Sequence, residues 1–460
     1  MKEQLYLYFT SDLHSYFGHW PKIVRYLKEQ VKRHKRRGEA YFILDNGDHL
    51  DRVHPITEAF LGSANVDLLN EAQFDAVTVG NNEGITLPAE DLFNLYNQAQ
   101  FDVVCANLHK QDQKVPNWLK PYTILTTESG IKLGILGLTA PFNLYYEELG
   151  WYVRSPYEAL NQYLPELSAK CDMILLLSHL GLNEDEYISM NYQEIDLIVG
   201  GHTHHLFKNG KKIQNTLLGA VGKFGRYVGR KDLVWSHQER RLTKKEGFAI
   251  DVHDMDDDPD TANMIASYSC KAAEILKKPI ASMQKTYDIQ WFQETELMVH
   301  LVDTLKAWTH ADFAMLNAGI ILEGIPKGEI TRGDLHRICP HPINPCKVRI
   351  TGEEIMEMIR MVRTKRFKEF QLKGLGFRGE VIGEMIFSGI EVVADQQSYI
   401  KEVLINGLPL EKKREYDVAT ADMFTLGKLL PPLASASYKE YYLPEFMRDL
   451  LGETVKKLNN

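Results

Sequence analysis

The first half of the chain alternates short apolar runs with amphipathic segments, and this alternation constrains the fold more than any other feature of the sequence. The runs are bounded by Gly, Asn and Asp and have the length of buried strands. They lie at 5–9, 41–45, 76–79, 102–105, 131–138, 173–177, 195–199 and 217–221. Between the first two runs, Pro21 opens a segment with Ile23, Leu27 and Val31 on one helical face. Strand–helix–strand alternation predicts a layered α/β architecture with parallel or mixed sheets.

The length of 460 residues predicts more than one domain. We expect a boundary at the acidic segment 254–259, which precedes apolar residues at helical spacing. Acidic residues and a proline are favoured at a helix N-terminus because of the helix dipole and the missing proline N–H. The sequence therefore predicts a first domain at 1–253, a linker helix at 254–280 and a second domain of mixed helices and strands at 281–460.

The composition argues against several classes of partner. A net charge of −9 disfavours nucleic acid, because phosphate backbones are bound by an excess of Lys and Arg. No apolar stretch of the sequence approaches the roughly 18 residues that span a bilayer, and the run at 5–9 is too short for a signal peptide. The five cysteines are scattered without CxxC spacing, which is typical of reduced thiols. We expect a cytoplasmic protein that binds a small molecule, and neither nucleic acid nor a membrane.

Polar side chains follow five of the apolar runs, at the point where each predicted strand ends. The five segments are Thr10-Ser11-Asp12-Leu13-His14, Asn46-Gly47-Asp48, Gly80-Asn81-Asn82-Glu83, Ser178-His179 and Gly200-Gly201-His202-Thr203-His204. In open α/β sheets, ligands bind at the carboxyl ends of the strands.

Each of these segments alone is weak evidence for a site. With 16 histidines in the chain, an H-x-H pair arises easily by chance, and Asp48 and Asn81 also suit ordinary turns. Together, however, several carboxylates and imidazoles at one sheet edge would be costly to bury without a cation. The combined pattern therefore predicts a site for a pair of divalent metal ions.

The order D-x-H, G-D, G-N-x-E, S-H and G-H-x-H resembles the calcineurin-like metallophosphoesterases. The spacing and the long C-terminal extension resemble their 5′-nucleotidase branch, and the motifs cover residues 10–204. The resemblance implies an α/β fold, with a four-layer α/β/β/α metallophosphoesterase domain followed by a C-terminal α+β domain that binds substrate. It also implies a hydrolase of phosphomonoesters that acts on a nucleotide, in nucleotide catabolism.

By the same resemblance, seven side chains would hold two divalent metal ions. One ion would be bound by Asp12, His14, Asp48 and His204, and the other by Asp48, Asn81, His179 and His202, with Asp48 bridging both. Oxygen and imidazole ligands without thiolate suit Mn²⁺, Zn²⁺ or Fe, and the set does not choose among them. Such a pair can lower the pKa of a bridging water and activate it for in-line attack on phosphorus.

One departure from the family pattern affects catalysis. The family usually has G-N-H-E, and here Asn82 occupies the position of the histidine. An amide cannot donate the proton that an imidazolium gives to a leaving alkoxide. Three hypotheses stay open. In the first, Asn82 orients the phosphate and a histidine supplies the proton; His54 is the first candidate, followed by His49 and His205. In the second, the substrate has a leaving group that needs no proton. In the third, the activity is slow or lost.

The second domain departs from the pattern as well. The family's N-x-G-G-x-R segment corresponds here to residues 317–322, so Leu322 stands where a substrate-binding Arg is expected. The family also holds a base between two aromatic rings, for which Phe424 matches one segment and Phe377 is a looser match for the other. Arg378 is a candidate to replace the missing cation. Each of these residues could also have a purely structural role. The two rings could pack in the core, and the arginine could form a surface salt bridge.

Two other functions stay open at this point. The first is a nucleotide-sugar pyrophosphatase or a 2′,3′-cyclic-nucleotide phosphodiesterase that uses the same metals. The second is a catalytically weak protein that binds metal and nucleotide. The missing histidine and arginine favour this second function, whereas the complete set of metal ligands argues against it.

Overall fold

The computed structural model describes residues 2–394 and 400–459. The chain divides into two compact units, Met1–Ala272 and Ala273–Asn460. The boundary between them lies within one helix, Pro259–Leu276, which falls inside the predicted linker segment. The division into 1–253, 254–280 and 281–460 stays a prediction.

Most strands of the first unit coincide with the apolar runs of the sequence. The strands are β1 (Lys2–Thr10), β2 (Ala40–Asp45), β3 (Ala76–Thr78), β4 (Asp102–Val104), β5 (Leu108–Lys110), β6 (Leu119–Lys120), β7 (Tyr122–Thr126), β8 (Lys132–Thr139), β9 (Trp151–Val153), β10 (Met173–His179), β11 (Leu197–Gly200), β12 (Lys211–Ile213), β13 (Thr216–Gly219), β14 (Tyr227–Ser236) and β15 (Arg241–Asp251). The helices are α1 (Trp20–Arg37), α2 (Pro55–Phe60), α3 (Ser63–Glu71), α4 (Asn81–Thr86), α5 (Ala89–Asn94), α6 (Asn143–Tyr146), α7 (Pro156–Lys170), α8 (Leu182–Asn191) and α9 (Pro259–Leu276). Every apolar run of the sequence contributes to a strand, which confirms that prediction.

Two sheets pack face to face in the first unit. The first has the strand order β15-β14-β1-β2-β3-β4-β6, and the second has the order β12-β13-β11-β10-β8-β7. Between them lies an apolar core to which both sheets contribute buried Leu, Val and Ile side chains. Helix α1 buries one face against the first sheet, and α7 and α8 cover the outer face of the second. The predicted four-layer α/β/β/α arrangement is therefore confirmed.

The strand directions place the polar segments of the sequence at one edge. β1, β2 and β3 run parallel to each other in the first sheet, and β8, β10 and β11 run parallel in the second. The polar segments lie at the carboxyl ends of β1, β2, β3, β10 and β11. Their positions therefore agree with the expectation that carboxyl ends of parallel strands carry the site.

The second unit combines a mixed sheet with helices. Its strands are β16 (Pro279–Met283), β17 (Phe313–Asn317), β18 (Gly328–Thr331), β19 (Pro345–Thr351), β20 (Met385–Ser388), β21 (Ile390–Ala394), β22 (Ile400–Ile405), β23 (Leu408–Pro409), β24 (Glu415–Ala421) and β25 (Tyr438–Tyr441). Its helices are α10 (Glu296–Thr309), α11 (Arg332–Ile338), α12 (Gly352–Val362), α13 (Lys365–Lys368), α14 (Pro431–Ala434) and α15 (Met447–Asn459), with 3₁₀ turns at Ala318–Ile320 and Asp422–Thr425. The main sheet, β20-β17-β24-β19-β25, contains both parallel and antiparallel pairs. This confirms the predicted α+β character.

The five cysteines are all free thiols in the structure, in line with their scattered spacing. Three of them are buried, one is half-buried and one is exposed. Across residues 2–394 and 400–459, no helix combines the length and the apolar character that crossing a bilayer requires.

A lysine is buried in the core between the two sheets of the first unit. Lys231 lies on β14 with no exposed surface. Its Nζ donates a hydrogen bond to the carbonyl oxygen of Leu217 at 2.9 Å and lies 5.5 Å from the ring centroid of Phe9. Burial, with a smaller contribution from the charge of Lys245, lowers the pKa of Lys231 to about 7. The core therefore favours the neutral amine over the ammonium.

We expect Lys231→Met to change how stability depends on pH. In the unfolded chain the pKa of a lysine is about 10.4, so between about pH 7 and pH 10 the unfolded state holds a proton that the folded state has released. The free energy of unfolding of the wild type should therefore rise with pH relative to Lys231→Met, by up to about 1.4 kcal/mol per pH unit. Urea unfolding at a series of pH values measures this difference.

The matched control for this experiment is Lys244→Met, which removes an exposed lysine of β15. Its stability should follow the wild type at every pH. A constant difference between the wild type and Lys231→Met across this range would contradict the prediction.

Candidate metal centre

The loops that follow β1 and β2 are joined through their backbones. The Asp12 N–H donates to the Gly47 carbonyl oxygen at 3.0 Å, and the His14 N–H donates to the Asp48 carbonyl oxygen at 2.8 Å. A third bond of the same kind follows one residue later, from Ser15. The two loops therefore run side by side, which places the side chains of Asp12 and His14 next to that of Asp48.

Five of the seven predicted metal ligands have a left-handed backbone conformation. The φ angles are 53° for Asp12, 49° for His14, 50° for Asp48, 67° for His202 and 57° for His204. For a non-glycine residue this conformation costs about 1–2 kcal/mol, because Cβ crowds the following carbonyl oxygen. Such strain persists only where the surrounding structure enforces it, and it clusters at functional sites. The five residues with this backbone strain all contribute side chains to the candidate metal centre.

Asp12, His14 and His204 form the first group of candidate ligand atoms. The Oδ1 atom of Asp12 lies 3.4 Å from Nε2 of His204 and 3.9 Å from Nε2 of His14. The two Nε2 atoms are 3.1 Å apart. Asp12 is fully buried, whereas the histidines are half-buried. The three side chains are therefore close enough to share one cation.

Asp48 and His179, together with Asp12, form a second group. The Oδ2 atom of Asp48 lies 3.3 Å from Nε2 of His179 and 3.7 Å from Nε2 of His14. It therefore lies between the histidines of both groups, where a bridging carboxylate would be needed. Among the described residues, Nε2 of His179 is buried without a hydrogen-bond partner. A metal ion would satisfy this nitrogen.

Asn81 and His202 form a pair beside the second group. The Oδ1 atom of Asn81 lies 2.8 Å from Nδ1 of His202, and the His202 backbone N–H donates to Oδ1 of Asp12 at 3.1 Å. The ring of His202 lies 5.5 Å from that of His179, between centroids. All seven predicted ligands are therefore brought together at one edge of the first unit. Their division between two ions stays a prediction.

The buried carboxylates and imidazoles shift one another's pKa values. Burial disfavours the charged form of Asp48, but His179 and His14 outweigh it and hold the pKa of this carboxyl far below its usual range. Burial also opposes the imidazolium of His179, yet Asp48 and Asp12 raise its pKa to about 10. The centre therefore requires positive charge to balance its carboxylates. Divalent cations would supply this charge, and the oxygen and nitrogen donors suit Mn²⁺, Zn²⁺ or Fe.

Glu83 fixes the loop that carries Asp48. Its carboxylate accepts the backbone N–H groups of Asp48 and Gly80, each at 2.9 Å, and of Leu50 at 3.1 Å. A Cβ atom at Gly80 would overlap Asp48 and lie 2.8 Å from Oε2 of Glu83. The close approach of these segments therefore requires glycine at position 80.

Asp51 lies behind the predicted ligand His14, a contact that the sequence did not reveal. Its Oδ2 atom lies 3.4 Å from Nδ1 of His14, the ring nitrogen opposite the one that faces Asp12. A carboxylate behind a metal-binding histidine fixes the ring orientation and makes the ligand more basic. The only sequence signal was an acidic residue three positions after Asp48, which is common in loops.

Asn82 contacts the predicted bridging carboxylate. Its backbone N–H donates to Oδ1 of Asp48 at 2.8 Å, and its side-chain Nδ2 donates to Oδ2 of Asp48 at 2.7 Å. Asn82 is buried. In the structure this amide holds Asp48 in place, and its role in orienting a phosphate stays a prediction.

The candidate proton donors lie in three different surroundings. His54 caps α2, where its Nδ1 accepts the Ile56 N–H at 3.2 Å. His49 is buried with its ring edge-on to Trp20, and His205 is exposed. The structure therefore shows a capping role for His54, and its catalytic role stays a prediction.

The predicted substrate residues of the second unit are packed within it. Phe424 is fully buried, with its ring 6.5 Å from that of Phe367. Phe377 is also buried and stacks on His341 at 5.2 Å. Arg378 is exposed, and its guanidinium donates to the carbonyl oxygen of Phe377. In this conformation both rings belong to the core, and the base clamp stays a prediction.

Comparison with known proteins identifies the family. The model for calcineurin-like phosphoesterases matches residues 5–206, and the model for the 5′-nucleotidase C-terminal domain matches residues 275–429. The uncharacterized metallophosphoesterase YunD of Bacillus subtilis (strain 168) is 41% identical over 457 residues, which cover 98% of this chain and 99% of that protein. The chain belongs to the calcineurin-like phosphoesterases with a 5′-nucleotidase C-terminal domain. It is therefore a hydrolase of phosphate esters, in a family that uses divalent metals, and the resemblance inferred from the motifs is confirmed.

More distant relatives match most of the chain. A 5′-nucleotidase of Vibrio cholerae serotype O1 is 25% identical over 72% of this chain and 69% of its own length. The structure of the NAD nucleotidase of Haemophilus influenzae superposes with a TM-score of 0.70 and 18% identity, covering 100% of this chain and 97% of that one. At this level of identity the structural likeness establishes a shared fold.

We expect Asp51→Asn to weaken metal binding by roughly 10- to 100-fold, because the amide no longer provides the negative charge behind His14. Titration calorimetry of the metal-free protein with Mn²⁺ measures the affinity. Asp112→Asn, which changes an exposed aspartate in the same way, should bind Mn²⁺ as the wild type does. Equal affinities for Asp51→Asn and Asp112→Asn would show that Asp51 does not support the centre.

Proposed function

We propose that this phosphoesterase removes the 5′-phosphate from nucleotides by means of a water activated at a dinuclear metal centre. The observation that carries the proposal is the convergence of Asp12 and Asp48, both buried, with four histidines and Asn81 at one edge of the first unit. The 5′-nucleotidase C-terminal domain at residues 275–429 supports a nucleotide as the substrate. A cytoplasmic role in nucleotide catabolism is part of the same proposal.

The chain's own residues would hold and orient the reacting groups. Two divalent ions, if bound here, would lower the pKa of a water molecule and supply positive charge for the phosphoryl oxygens. Asp12, Asp48 and the histidines around them are the residues that would bind these ions. Hydrogen bonds between neighbouring loops and to Glu83 fix the ligands in advance. The ligand side chains then need little reorganisation during the reaction. This preorganisation of charged groups is the main source of electrostatic catalysis.

The amide at position 82 favours one alternative. Because an amide cannot protonate a leaving alkoxide, a substrate whose leaving group is a phosphate would suffer less from the lack of an acid. The Asn82 side chain also donates to Asp48, which gives it a structural role. A nucleotide-sugar pyrophosphatase is therefore the alternative to compare with a nucleotidase.

A double variant that carries Asp48→Asn and His202→Ala should release phosphate from AMP roughly a hundredfold or more slowly than the wild type, because each change removes a predicted metal ligand. The measurement is phosphate release by protein reconstituted with Mn²⁺, with AMP, UDP-glucose and 2′,3′-cyclic AMP as substrates. We expect AMP to be hydrolysed fastest by the wild type.

A suitable control is His237→Ala, which removes a histidine paired with Glu3 at the other end of β1. This variant should keep the wild-type rate. Unchanged hydrolysis in the double variant would refute the role of the centre, and a faster reaction with UDP-glucose than with AMP would favour the pyrophosphatase.

We expect Asn82→His to raise kcat for AMP by on the order of tenfold, because an imidazolium can protonate the leaving alkoxide. The gain should be smaller for p-nitrophenyl phosphate, whose leaving group needs little protonation. Steady-state kinetics with both substrates measures the two effects. Asn82→Ala, which only removes the amide bonded to Asp48, should lower both rates. Equal changes with both substrates would contradict a position for residue 82 near the leaving group.

A further inference from the structure

Beside the loops that follow β1 and β2, the first unit buries a group of four polar side chains. The group consists of Ser15, His49, Thr57 and Asn65, which are exposed by 0%, 2%, 0% and 2%. Thr57 belongs to α2 and Asn65 to α3, so neither lies in the segments that carry the predicted metal ligands. Buried polar groups are costly unless each finds a hydrogen-bond partner. The partners of these side chains therefore show what the group does.

The amide of Asn65 connects the two loops. Its Nδ2 donates to Oγ of Ser15 at 3.1 Å, in the loop after β1, and to the carbonyl oxygen of His49 at 3.2 Å, in the loop after β2. The ring nitrogen Nδ1 of His49 lies 3.2 Å from the same amide nitrogen. An amide nitrogen carries two N–H groups, and here both are directed at the loops. Asn65 therefore holds the two loops together from a helix that carries none of the predicted ligands.

Ser15, Thr57 and Asn65 form a closed ring of hydrogen bonds. The hydroxyl of Ser15 accepts from Asn65 and also accepts the backbone N–H of Asp51, at 2.9 Å. Its own hydrogen is therefore directed at Oγ1 of Thr57, 2.7 Å away, and the Thr57 hydroxyl donates to Oδ1 of Asn65 at 3.0 Å. The ring requires position 65 to provide both a donor and an acceptor. An ionised aspartate only accepts, and an apolar residue does neither.

The ring is joined to a predicted metal ligand through two contacts. Ser15 directly follows His14 in the chain, and both residues have a left-handed backbone, with φ angles of 53° and 49°. Asp51, whose N–H donates to Ser15, places its Oδ2 atom 3.4 Å from Nδ1 of His14. A carboxylate in this position orients a metal-binding histidine. The ring therefore fixes both the backbone next to His14 and the carboxylate behind its imidazole.

We propose that Asn65 is a positioning residue of the metal centre, which sets the orientation of His14 through Ser15 and Asp51. This inference rests on the proposed function, which requires the centre to hold metal, and extends it to a residue outside the sequence motifs. A purely structural role for Asn65 would lower the stability of the fold and leave the metal affinity of the folded protein unchanged. Metal affinity therefore distinguishes the two roles.

Asn65→Asp and Asn65→Ala test the proposal in the metal-free full chain, with Mn²⁺ as the probe. Residues behind metal ligands typically contribute roughly 10- to 100-fold to affinity, and we expect both variants to bind Mn²⁺ about tenfold more weakly than the wild type. The direction of the change is informative for Asn65→Asp, because an added negative charge would by itself attract a cation. Titration calorimetry measures the affinity, and urea unfolding of the same samples establishes that each variant is folded.

The matched control is Asn70→Asp, which adds the same charge to the same helix. The amide of Asn70 donates to the backbone carbonyl oxygen of Gln98 and has no contact with the ring. This variant should bind Mn²⁺ at least as tightly as the wild type.

A double-variant cycle with Asp51→Asn tests whether Asn65 acts through Asp51. The variant that carries both Asn65→Ala and Asp51→Asn should lose less Mn²⁺ affinity than the product of the two separate losses. Residues that act independently would give losses that multiply.

Wild-type or higher Mn²⁺ affinity in both folded Asn65 variants, or separate losses that multiply in the double variant, would overturn the inference. If the Asn65 variants do not fold, Thr57→Val decides, because it removes one hydroxyl of the ring and keeps the shape of the side chain. A several-fold loss of affinity in Thr57→Val supports the inference, and an unchanged affinity overturns it. If the wild type binds Mn²⁺ but releases no phosphate from AMP, the proposed function fails, and the affinities still decide the role of Asn65.

Discussion

Two carboxylates buried at the same edge impose the main constraint on the first unit. Asp12 and Asp48 are 0% and 2% exposed, and an unpaired charge in such surroundings is strongly disfavoured. The structure places imidazoles around both of them and directs backbone N–H groups at each, from His202 to Asp12 and from Asn82 to Asp48. The left-handed backbone of five ligand residues is part of the same arrangement, since the loops turn sharply where they bring these side chains together. The remaining charge deficit is what makes the site suitable for divalent cations.

The positions of the predicted ligands could be derived from the sequence because they follow from strand direction. Each ligand segment comes directly after a strand, and parallel strands end at a common edge. Knowledge that 5–9, 41–45 and 173–177 are strands therefore locates Asp12, Asp48 and His179 without knowledge of side-chain packing. The layered α/β architecture could be predicted for a similar reason, because the alternation of strands and helices restricts how layers form. The four-layer arrangement followed from the resemblance of the motifs to the family.

Features that depend on packing could not be predicted in the same way. The sequence places Phe377 and Phe424 in segments suited to a base clamp, but it does not tell whether a ring faces a cleft or the core, and both are buried. Asp51 stands in an ordinary acidic loop in the sequence. Its contact with His14 arises only from the tertiary structure.

Asn82 shows a further limit of sequence reasoning. Its position in the motif directed attention to proton donation and to the phosphate. The structure shows a different property, since the amide donates to the very carboxylate expected to bridge the metals. A substitution within a motif can therefore alter which partner a side chain contacts, and not only which chemistry it offers.

The backbone bonds between the loops after β1 and β2 have a consequence for how such a centre can change over time. Because the main chain of one loop donates directly to the main chain of the other, the two behave as a single structural element. An insertion or deletion in either loop would shift ligands on both. Variation in substrate or metal preference is therefore easier to accommodate in neighbouring elements such as α8, where side chains can be exchanged while the metal-binding backbone stays intact.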